Sequence, residues 1–379
     1  MTTTTNAPAG GRTGVRGPWR DRWNSLSRPQ QWAVLIPVVV LIYLLPVLNP
    51  PLLTTEPGTN FPIAMFNAAR FALVAVGLNV VVGQAGLLDL GYVGFFAIGA
   101  YVAAIFTSPD SMAAKLPYLA CLPLAMVVTM VFGLILGAPT LRLRGDYLAI
   151  VTLGFGEIVR LLATIVTPLK GQVGFQQVGS PPGIGSDGQP IFSNSNGTAW
   201  YWLVVTLTIV VLLLVGNLER SRVGRAWVAI REDEDVAQIM GVPTIRFKLW
   251  AFVIGAAIGG LSGALFAGQV GFVNNQKFDV PTSVLFLAAV VLGGSGNKVG
   301  VLLGAFLVSY IPDRFTALAD YKYLIFGVAL IVLMIFRPQG LLGARQRLLA
   351  NGRTAYQRLV GRPEQLSKDS SLTAEGRTP

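Results

Sequence analysis

The residue types that most often do chemistry are nearly missing from this 379-residue chain. It contains no histidine and a single cysteine, Cys121, which lies in an apolar run. The chain therefore lacks an imidazole base, a disulfide and a cysteine-based zinc site. Residues 293–298 (Gly-Gly-Ser-Gly-Asn-Lys) come nearest to a phosphate-binding loop, but their spacing is wrong. We predict that the chain is not an enzyme and that it binds no metal and no cofactor.

The composition assigns most of the chain to a membrane. Hydrophobic residues make up 53% of the sequence and charged residues only 12%, with a mean hydropathy of +0.60. Soluble domains carry about 25% charged residues, and their surface is too large to hide so many apolar side chains. We predict an all-α, polytopic membrane protein with about ten transmembrane helices, within a range of about eight to twelve.

Apolar stretches that reach or approach the length of a bilayer span recur along the chain. The ten candidates are Gln31–Leu48, Phe61–Val82, Tyr92–Phe106, Pro117–Gly137, Tyr147–Thr167, Trp200–Val215, Leu249–Val270, Thr282–Leu292, Gly300–Ile311 and Tyr323–Phe336. We expect the shorter ones to be tilted, broken or packed against neighbouring helices.

Basic residues concentrate in three segments. Residues 1–30 hold five Arg and one Asp, residues 337–379 hold seven Arg, one Lys and three acids, and the loop 217–248 holds six Arg and Lys. Ten spans put all three on one side, as the positive-inside rule requires of cytoplasmic segments. We predict a basic cytoplasmic tail (1–30), a transmembrane domain (31–337) and a second cytoplasmic tail (338–379). Basic tails are not a nucleic-acid-binding face, so we expect no nucleic-acid partner.

Glycine interrupts the apolar pattern in the Gly83–Gly91 segment. Gly83, Gly86 and Gly91 surround Asp89 between two candidate spans that no ordinary polar loop separates. Irregular backbone at membrane depth is tolerated only where protein or a water-filled cavity surrounds it, and broken helices mark transport pathways. Three other glycines, Gly255, Gly259 and Gly263, recur at every fourth position and predict close helix packing.

Few ionisable residues fall within the candidate spans. Arg70 and Asp89 are isolated, whereas Glu157 and Arg160 are three positions apart and share one helix face. Charges inside a membrane are costly and usually face a bundle interior or a wet cavity. Glu157 and Arg160 therefore either line a translocation path or form a structural ion pair between helices, and a structural role is favoured for Arg70.

The loop 217–248 contains a predicted helix within Trp227–Met240. Its acidic block, Arg231–Asp235, suits a helix N-terminus, and Gly241-Val242-Pro243 ends the helix. A compact charged helix followed by a turn is what a membrane protein presents to a soluble partner, although a merely solvated face has the same pattern.

Several strings together resemble the branched-chain amino acid permease family, specifically its LivM-type subunit. Residues 235–241 (Asp-Val-Ala-Gln-Ile-Met-Gly) resemble the Glu-Ala-Ala-x3-Gly loop of ABC importer permeases, with Asp for Glu and Val for the first Ala. Residues 77–92 and 141–160 resemble two longer signatures of the family. Shorter matches at 224–234, 291–294 and 336–342 extend the resemblance over roughly residues 60–345.

The resemblance implies a permease subunit of an ABC importer in the bacterial inner membrane, carrying branched-chain or related neutral amino acids. Its expected partners are a second, homologous permease subunit, two ATP-binding subunits that hold ATP and Mg, and an extracytoplasmic substrate-binding protein. By the same resemblance, the following residues couple to the ATPase: Arg231, Glu234, Asp235, Ala237 and Gly241. Those that line or gate the path are Gly83, Gly86, Asp89, Gly91, Asp146, Glu157 and Arg160.

Two alternatives stay open at the level of sequence. The same family includes carriers of urea and short amides, and no residue pattern separates them from amino acid carriers. A stand-alone secondary carrier driven by ions or protons would need inverted repeats with matched broken helices, and the Gly83–Gly91 segment is the one clear break in the sequence.

Overall fold

The computed structural model describes residues 28–51, 55, 60–143, 145–184, 188, 190–315, 320–336 and 340. The two predicted tails therefore lie outside the described residues, apart from residues 28–30 and 340. Among the described residues, those from 42 onwards belong to one compact unit, and residues 28–41 belong to another.

The described chain is mostly helical, with twelve α-helices in residues 28–336. In the first half they are α1 (Arg28–Leu48), α2 (Phe61–Leu78), α3 (Tyr92–Thr107), α4 (Tyr118–Thr140), α5 (Asp146–Ile165) and α6 (Gly197–Arg220). In the second half they are α7 (Arg222–Glu232), α8 (Glu234–Ile239), α9 (Thr244–Val270), α10 (Val280–Gly293), α11 (Lys298–Arg314) and α12 (Lys322–Phe336). Each of the ten predicted spans overlaps one of these helices.

Six helical stretches among the described residues are long and apolar enough to cross a membrane. They are Phe61–Gln84, Tyr118–Thr140, Asp146–Ile165, Gly197–Arg220, Thr244–Val270 and Asn275–Gly293. Ile36–Leu48, Tyr92–Thr107 and Lys322–Phe336 are apolar but shorter, and α11 carries charged residues at both ends. The structure therefore shows a membrane-embedded helical protein and leaves the total of about ten spans as a prediction.

Helix α9 lies at the centre of the bundle, packed against α2, α3 and α4. From Ala251 to Gln269 it is almost entirely buried, because small residues let neighbouring backbones approach it closely. A Cβ at Gly263 would overlap the carbonyl oxygen of Phe96, and a Cβ at Gly99 would overlap that of Gly260. Gly255 and Gly259 lie against side chains of α2 and α3 in the same way.

The predicted loop 217–248 is almost entirely helical, which differs from the sequence expectation of one short helix. Helix α6 continues to Arg220, α7 and α8 follow, and α9 begins at Thr244. We call residues 221–243 the connecting segment. Helices α7 and α8 are separate for a local reason. The Asp233 carboxylate accepts hydrogen bonds from the backbone N–H groups of Asp235 and Val236 at 3.0 Å. Asp233 is thus the N-cap of α8.

A short antiparallel strand pair, which the sequence did not predict, anchors the long connection between α5 and α6. Strand β1 (Phe175–Gln176) pairs with β2 (Phe272–Val273), which follows α9. The backbone N–H of Val178 also donates to Gly271 O at 3.1 Å. Side chains near the end of α3 complete the attachment, since Thr107 Oγ1 accepts from Gly179 N at 3.0 Å.

The contact at Gly263 generates a test of the packing. We expect Gly263→Val to destabilise the protein by at least about 2 kcal/mol, because α3 and α9 must separate to admit the new side chain. Gly154→Val on α5 is the matched control, since a Cβ at Gly154 meets no described atom within 4 Å. Thermal unfolding of both variants in detergent measures the difference, and equal melting temperatures would contradict the packing argument.

Candidate functional site

Helix α2 ends in an irregular segment that folds back into the bundle. After Leu78 the chain makes a π-helical turn, Asn79–Gln84, and residues 85–91 then have no regular structure. We call residues 85–91 the break. Leu87 N donates to Val81 O at 3.0 Å, so the break runs back along the last turns of α2. Helix α3 consequently starts beside the end of α2, where the Tyr92 side chain lies against Gly77.

Asp89 stabilises the backbone of the break from within. Its Oδ1 accepts a hydrogen bond from Gly91 N at 2.9 Å, and its side chain is buried. Its second carboxylate oxygen, Oδ2, is also buried and has no hydrogen-bond partner among the described residues. A buried carboxylate oxygen without a partner is costly in a low-dielectric interior, which sets Asp89 apart from a purely structural turn residue.

Two hydroxyl groups from other helices bond to the backbone at the end of the break. Thr152 Oγ1 on α5 accepts from Leu90 N at 3.1 Å. Ser283 Oγ on α10 donates to Leu90 O at 2.6 Å and accepts from Val93 N at 3.4 Å. Gly91 packs so closely on α5 that a Cβ there would overlap the carbonyl oxygen of Thr152. The break is therefore a built feature, held by helices distant in sequence.

The π-helical turn that follows α2 meets a polar cluster. Gln84 donates through Nε2 to the carboxylate of Glu219 on α6, and Lys298 Nζ on α11 lies 2.6 Å from Glu219 Oε2. Asn79 Oδ1 accepts from the backbone N–H of Gly296 at 2.8 Å. A cleft of about 220 Å³ opens here, lined by Gly83, Gln84, Glu219, Gly224, Val228, Arg231, Glu232 and Gly296.

Two contacts attach the connecting segment to the bundle, and they depend on Trp227 and Lys248, which the sequence analysis did not name as site residues. Trp227 is fully buried, and its indole Nε1 donates to Phe247 O on α9 at 2.7 Å. Lys248 Nζ, itself buried, lies 2.5 Å from Glu234 Oε2 at the start of α8. Glu234 therefore faces the bundle, and Ala237 is also buried beneath α8.

The opposite side of α8 is apolar and exposed. Val236, Ile239 and Met240 expose 54%, 83% and 77% of their surface, respectively. Gly241 follows with a φ of +84°, in the left-handed region where a side chain is strained, and its N–H donates to Gln238 O at 3.0 Å. Asp235 lies in the first turn of the helix. Exposed apolar side chains on a short helix are typical of an interaction surface.

The remaining predicted path residues lie on α5. Asp146 is exposed at its first turn, and Arg160 pairs with Glu157 through two guanidinium nitrogens. The pair lies within one helix, so it does not tie two helices together. Both side chains are about one-third exposed. The structure thus gathers Gly83, Gly86, Asp89 and Gly91 at the break, but it places the Glu157–Arg160 pair on a more open face.

The Arg70 side chain, on α2, is buried among aromatic rings. Its guanidinium carbon lies 4.9–5.3 Å from the ring centres of Phe71, Phe96 and Phe266. Cation–π contacts of this kind stabilise a desolvated guanidinium.

Sequence reasoning missed several residues that hold the site. Thr152 and Ser283 are neutral and common in helices, and Glu219 and Lys298 lie at helix ends where charges are ordinary. No local signal distinguishes them, since their partners lie far away in the chain: Ser283 and Leu90 are 193 positions apart. Trp227 is the exception, because a tryptophan in a charged segment indicates an anchoring contact.

Comparison with known proteins identifies similar sequences over most of the chain. The family model described as branched-chain amino acid transport system, permease component, matches residues 63–334. The high-affinity branched-chain amino acid transport system permease protein LivM of Salmonella typhimurium is 41% identical over 72% of this chain and 67% of its own length. BraD, the corresponding permease protein of Pseudomonas aeruginosa, is 28% identical over 73% and 92%, respectively.

A relative with a different printed substrate also matches. The autoinducer 2 import system permease protein LsrC of Salmonella typhimurium is 27% identical over 67% of this chain and 73% of its own length. No solved structure matches the chain.

The Ser283 bridge gives a direct test of the break. We expect Ser283→Ala to destabilise the protein by about 1–3 kcal/mol, because Leu90 O and Val93 N lose their buried partner. Ser309→Ala on α11 is the matched control, since Ser309 is also buried but makes no hydrogen bond to the break among the described residues. Thermal unfolding compares the two variants, and an equal effect of both would show that the bridge contributes nothing specific.

Proposed function

The chain belongs to the family of permease components of branched-chain amino acid transport systems, and we propose that it helps to form the path by which branched-chain or related neutral amino acids cross the bacterial inner membrane. It is a membrane-embedded permease subunit of an ABC importer and not an enzyme, since ATP hydrolysis in this family belongs to partner subunits. A second, homologous permease subunit is expected to complete the path.

The exposed apolar face of α8 carries the proposal. Val236, Ile239 and Met240 are exposed, although the other side of the same helix is tied to the bundle through Ala237 and the Glu234–Lys248 pair. A rigid base with an uncovered apolar face suits docking to a soluble subunit. We infer that α8, with Asp235 and Gly241 at its two ends, docks on an ATP-binding subunit. ATP and Mg are held there rather than on this chain.

The break is the proposed moving part of the path. It places irregular backbone and the buried Asp89 between helices, an arrangement that transporters use near their substrate route. The Glu157–Arg160 pair and Asp146 lie on α5, which packs against the start of α3. In this proposal they line the route beside the break, where the Glu157–Arg160 pair adds polar groups whose charges compensate each other.

The proposed topology has about ten spans with both termini in the cytoplasm. Its support is the distribution of charge, because the loop 217–248 holds six Arg and Lys and both tails are rich in Arg. An extracytoplasmic binding protein delivers the substrate to the opposite face, where β1 and β2 hold the α5–α6 connection.

Reconstitution tests the function. The chain is co-expressed with a homologous second permease and two ATP-binding subunits, and the complex is placed in proteoliposomes with an extracytoplasmic binding protein. We expect leucine, isoleucine or valine uptake that requires both ATP and the binding protein. Urea and acetamide serve as comparison substrates. Uptake that persists without nucleotide would contradict the ABC mechanism, and uptake of urea alone would contradict the amino acid assignment.

Substitutions at the two ends of α8 test the docking helix. We expect Asp235→Arg and Gly241→Pro to lower substrate uptake per ATP hydrolysed by about tenfold or more. Arginine opposes the helix dipole at the first turn, and proline cannot adopt the φ of +84° found at Gly241.

Asp320→Arg is the matched charge reversal, placed at an exposed turn before α12, and its coupling should equal that of the wild type. Normal substrate-stimulated transport in both α8 variants would refute the assignment of α8 as the docking helix.

A further inference from the structure

Arg231 has contacts that distinguish it from the other basic residues of the connecting segment. It lies on α7, one residue before the end of that helix, and its Nη1 donates a hydrogen bond to the backbone oxygen of Gly83. Its aliphatic part lies on Gly86, where a Cβ would be 3.1 Å from Arg231 Cγ. The Arg231 side chain therefore spans the π-helical turn that follows α2 and the first residues of the break.

A third segment meets the same guanidinium. A Cβ at Gly296, in the loop between α10 and α11, would lie 2.5 Å from Arg231 Nη1. Gly296 is itself held to the π-helical turn after α2, because its N–H donates to Asn79 Oδ1. Glycine is thus present at each of the three positions that approach Arg231, namely Gly83, Gly86 and Gly296, and a side chain at Gly296 would displace the guanidinium.

The acceptor explains why an arginine suits this position. Gly83 lies in the final turn of the helical stretch that ends at Gln84, where carbonyl groups lack intrahelical donors and the helix dipole is negative. A guanidinium that donates to such a carbonyl forms a charge-assisted hydrogen bond, which is stronger than a neutral one. A lysine ammonium could make the same single bond, but it lacks the planar group that lies between Gly83 O and Gly296.

The residue next to Gly83 has different anchors. Gln84 is bonded to Glu219 on α6, and Glu219 is paired with Lys298 on α11. The last two residues of the helical stretch are therefore tied to different parts of the molecule. Gly83 is tied to α7, and Gln84 is tied to α6 and α11. Any rotation of α7 relative to α6 and α11 must act on the start of the break.

We propose that Arg231 is a positioning residue that transmits movement of the connecting segment to the break. This inference rests on the proposed function, in which α8 docks on an ATP-binding subunit. Only Asp233 separates α7 from α8, so a displacement of α8 also moves α7 and Arg231. Packed elements of this kind switch between discrete arrangements rather than deforming continuously. Arg231 thus acts inside the permease, on the backbone of Gly83, and not as a contact to the ATPase.

Substitution of Arg231 in the reconstituted complex tests the inference. We expect Arg231→Met to lower uptake per ATP hydrolysed by about tenfold, since a charge-assisted hydrogen bond is lost, while ATPase activity persists. Arg231→Lys should recover a substantial part of the coupling, because an ammonium can still donate to Gly83 O. Arg225→Met is the matched control, since Arg225 is exposed on the same helix and its Nη1 bonds only to Arg220 O at 3.1 Å.

A second variant separates the contact from the folding of the chain. Gly296→Ala keeps Arg231 but places a methyl group where its Nη1 lies, so we expect it to reproduce the loss of coupling. Because Gly296 has a φ of +86°, where alanine is strained, Gly294→Ala at a φ of +101° in the same loop is the matched control for backbone strain. Should Arg231→Met not be recovered in folded form, Gly296→Ala and Arg231→Lys decide the question. Unchanged uptake per ATP in Arg231→Met, or in Gly296→Ala when Arg231→Met is not recovered, would overturn the proposal.

The outcome for the wild-type complex distinguishes this inference from the proposed function. If the wild type shows no ATP-dependent uptake, the proposed function fails. If the wild type transports and Arg231→Met is coupled equally well, only the role of Arg231 fails.

Discussion

Contact between glycine and the backbone of a neighbouring helix is the interaction on which this bundle depends. Lipid provides no hydrophobic drive between helices, so association relies on close van der Waals packing. Helix α9 achieves this with α3 at two reciprocal contacts, Gly263 against Phe96 O and Gly99 against Gly260 O. A central helix of small residues allows α2, α3 and α4 to surround it. The positions of the break and of the connecting segment follow from that arrangement.

The break exists because the packed bundle supplies hydrogen-bond partners for it. Backbone N–H and C=O groups without partners are costly inside a membrane, and irregular structure there needs protein around it. Thr152 and Ser283 provide two of the required groups, and Tyr92 fixes the start of α3 by donating to Gly255 O at 2.7 Å. Asp89 Oδ2, like Gln84 Oε1 just before the break, is buried and has no hydrogen-bond partner in the described part of the chain.

Elements with a local cause could be predicted from the sequence. The ten apolar segments each correspond to a helix, because an apolar run in lipid must satisfy its own backbone by forming one. The irregular backbone at 85–91 and the end of α8 at Gly241 follow from glycine, and the start of α8 follows from its acidic residues. The separate helix α7 was not predicted, because its N-cap, Ser221, and the N-cap of α8, Asp233, act as caps only where the chain turns. The strand pair was not predicted either, because strands of two residues have no periodicity.

A helical chain in a membrane, a break near Gly83–Gly91 and a compact charged helix between α6 and α9 can all be predicted before folding is considered. These properties depend on composition and on residues within a few turns of each other. The polar groups that meet one another are known only from the folded bundle. Arg231 reaches Gly83 across 148 positions and Asn79 reaches Gly296 across 217. Such pairs arise from the way glycine-rich helices pack, and helix packing has no signature in local spacing.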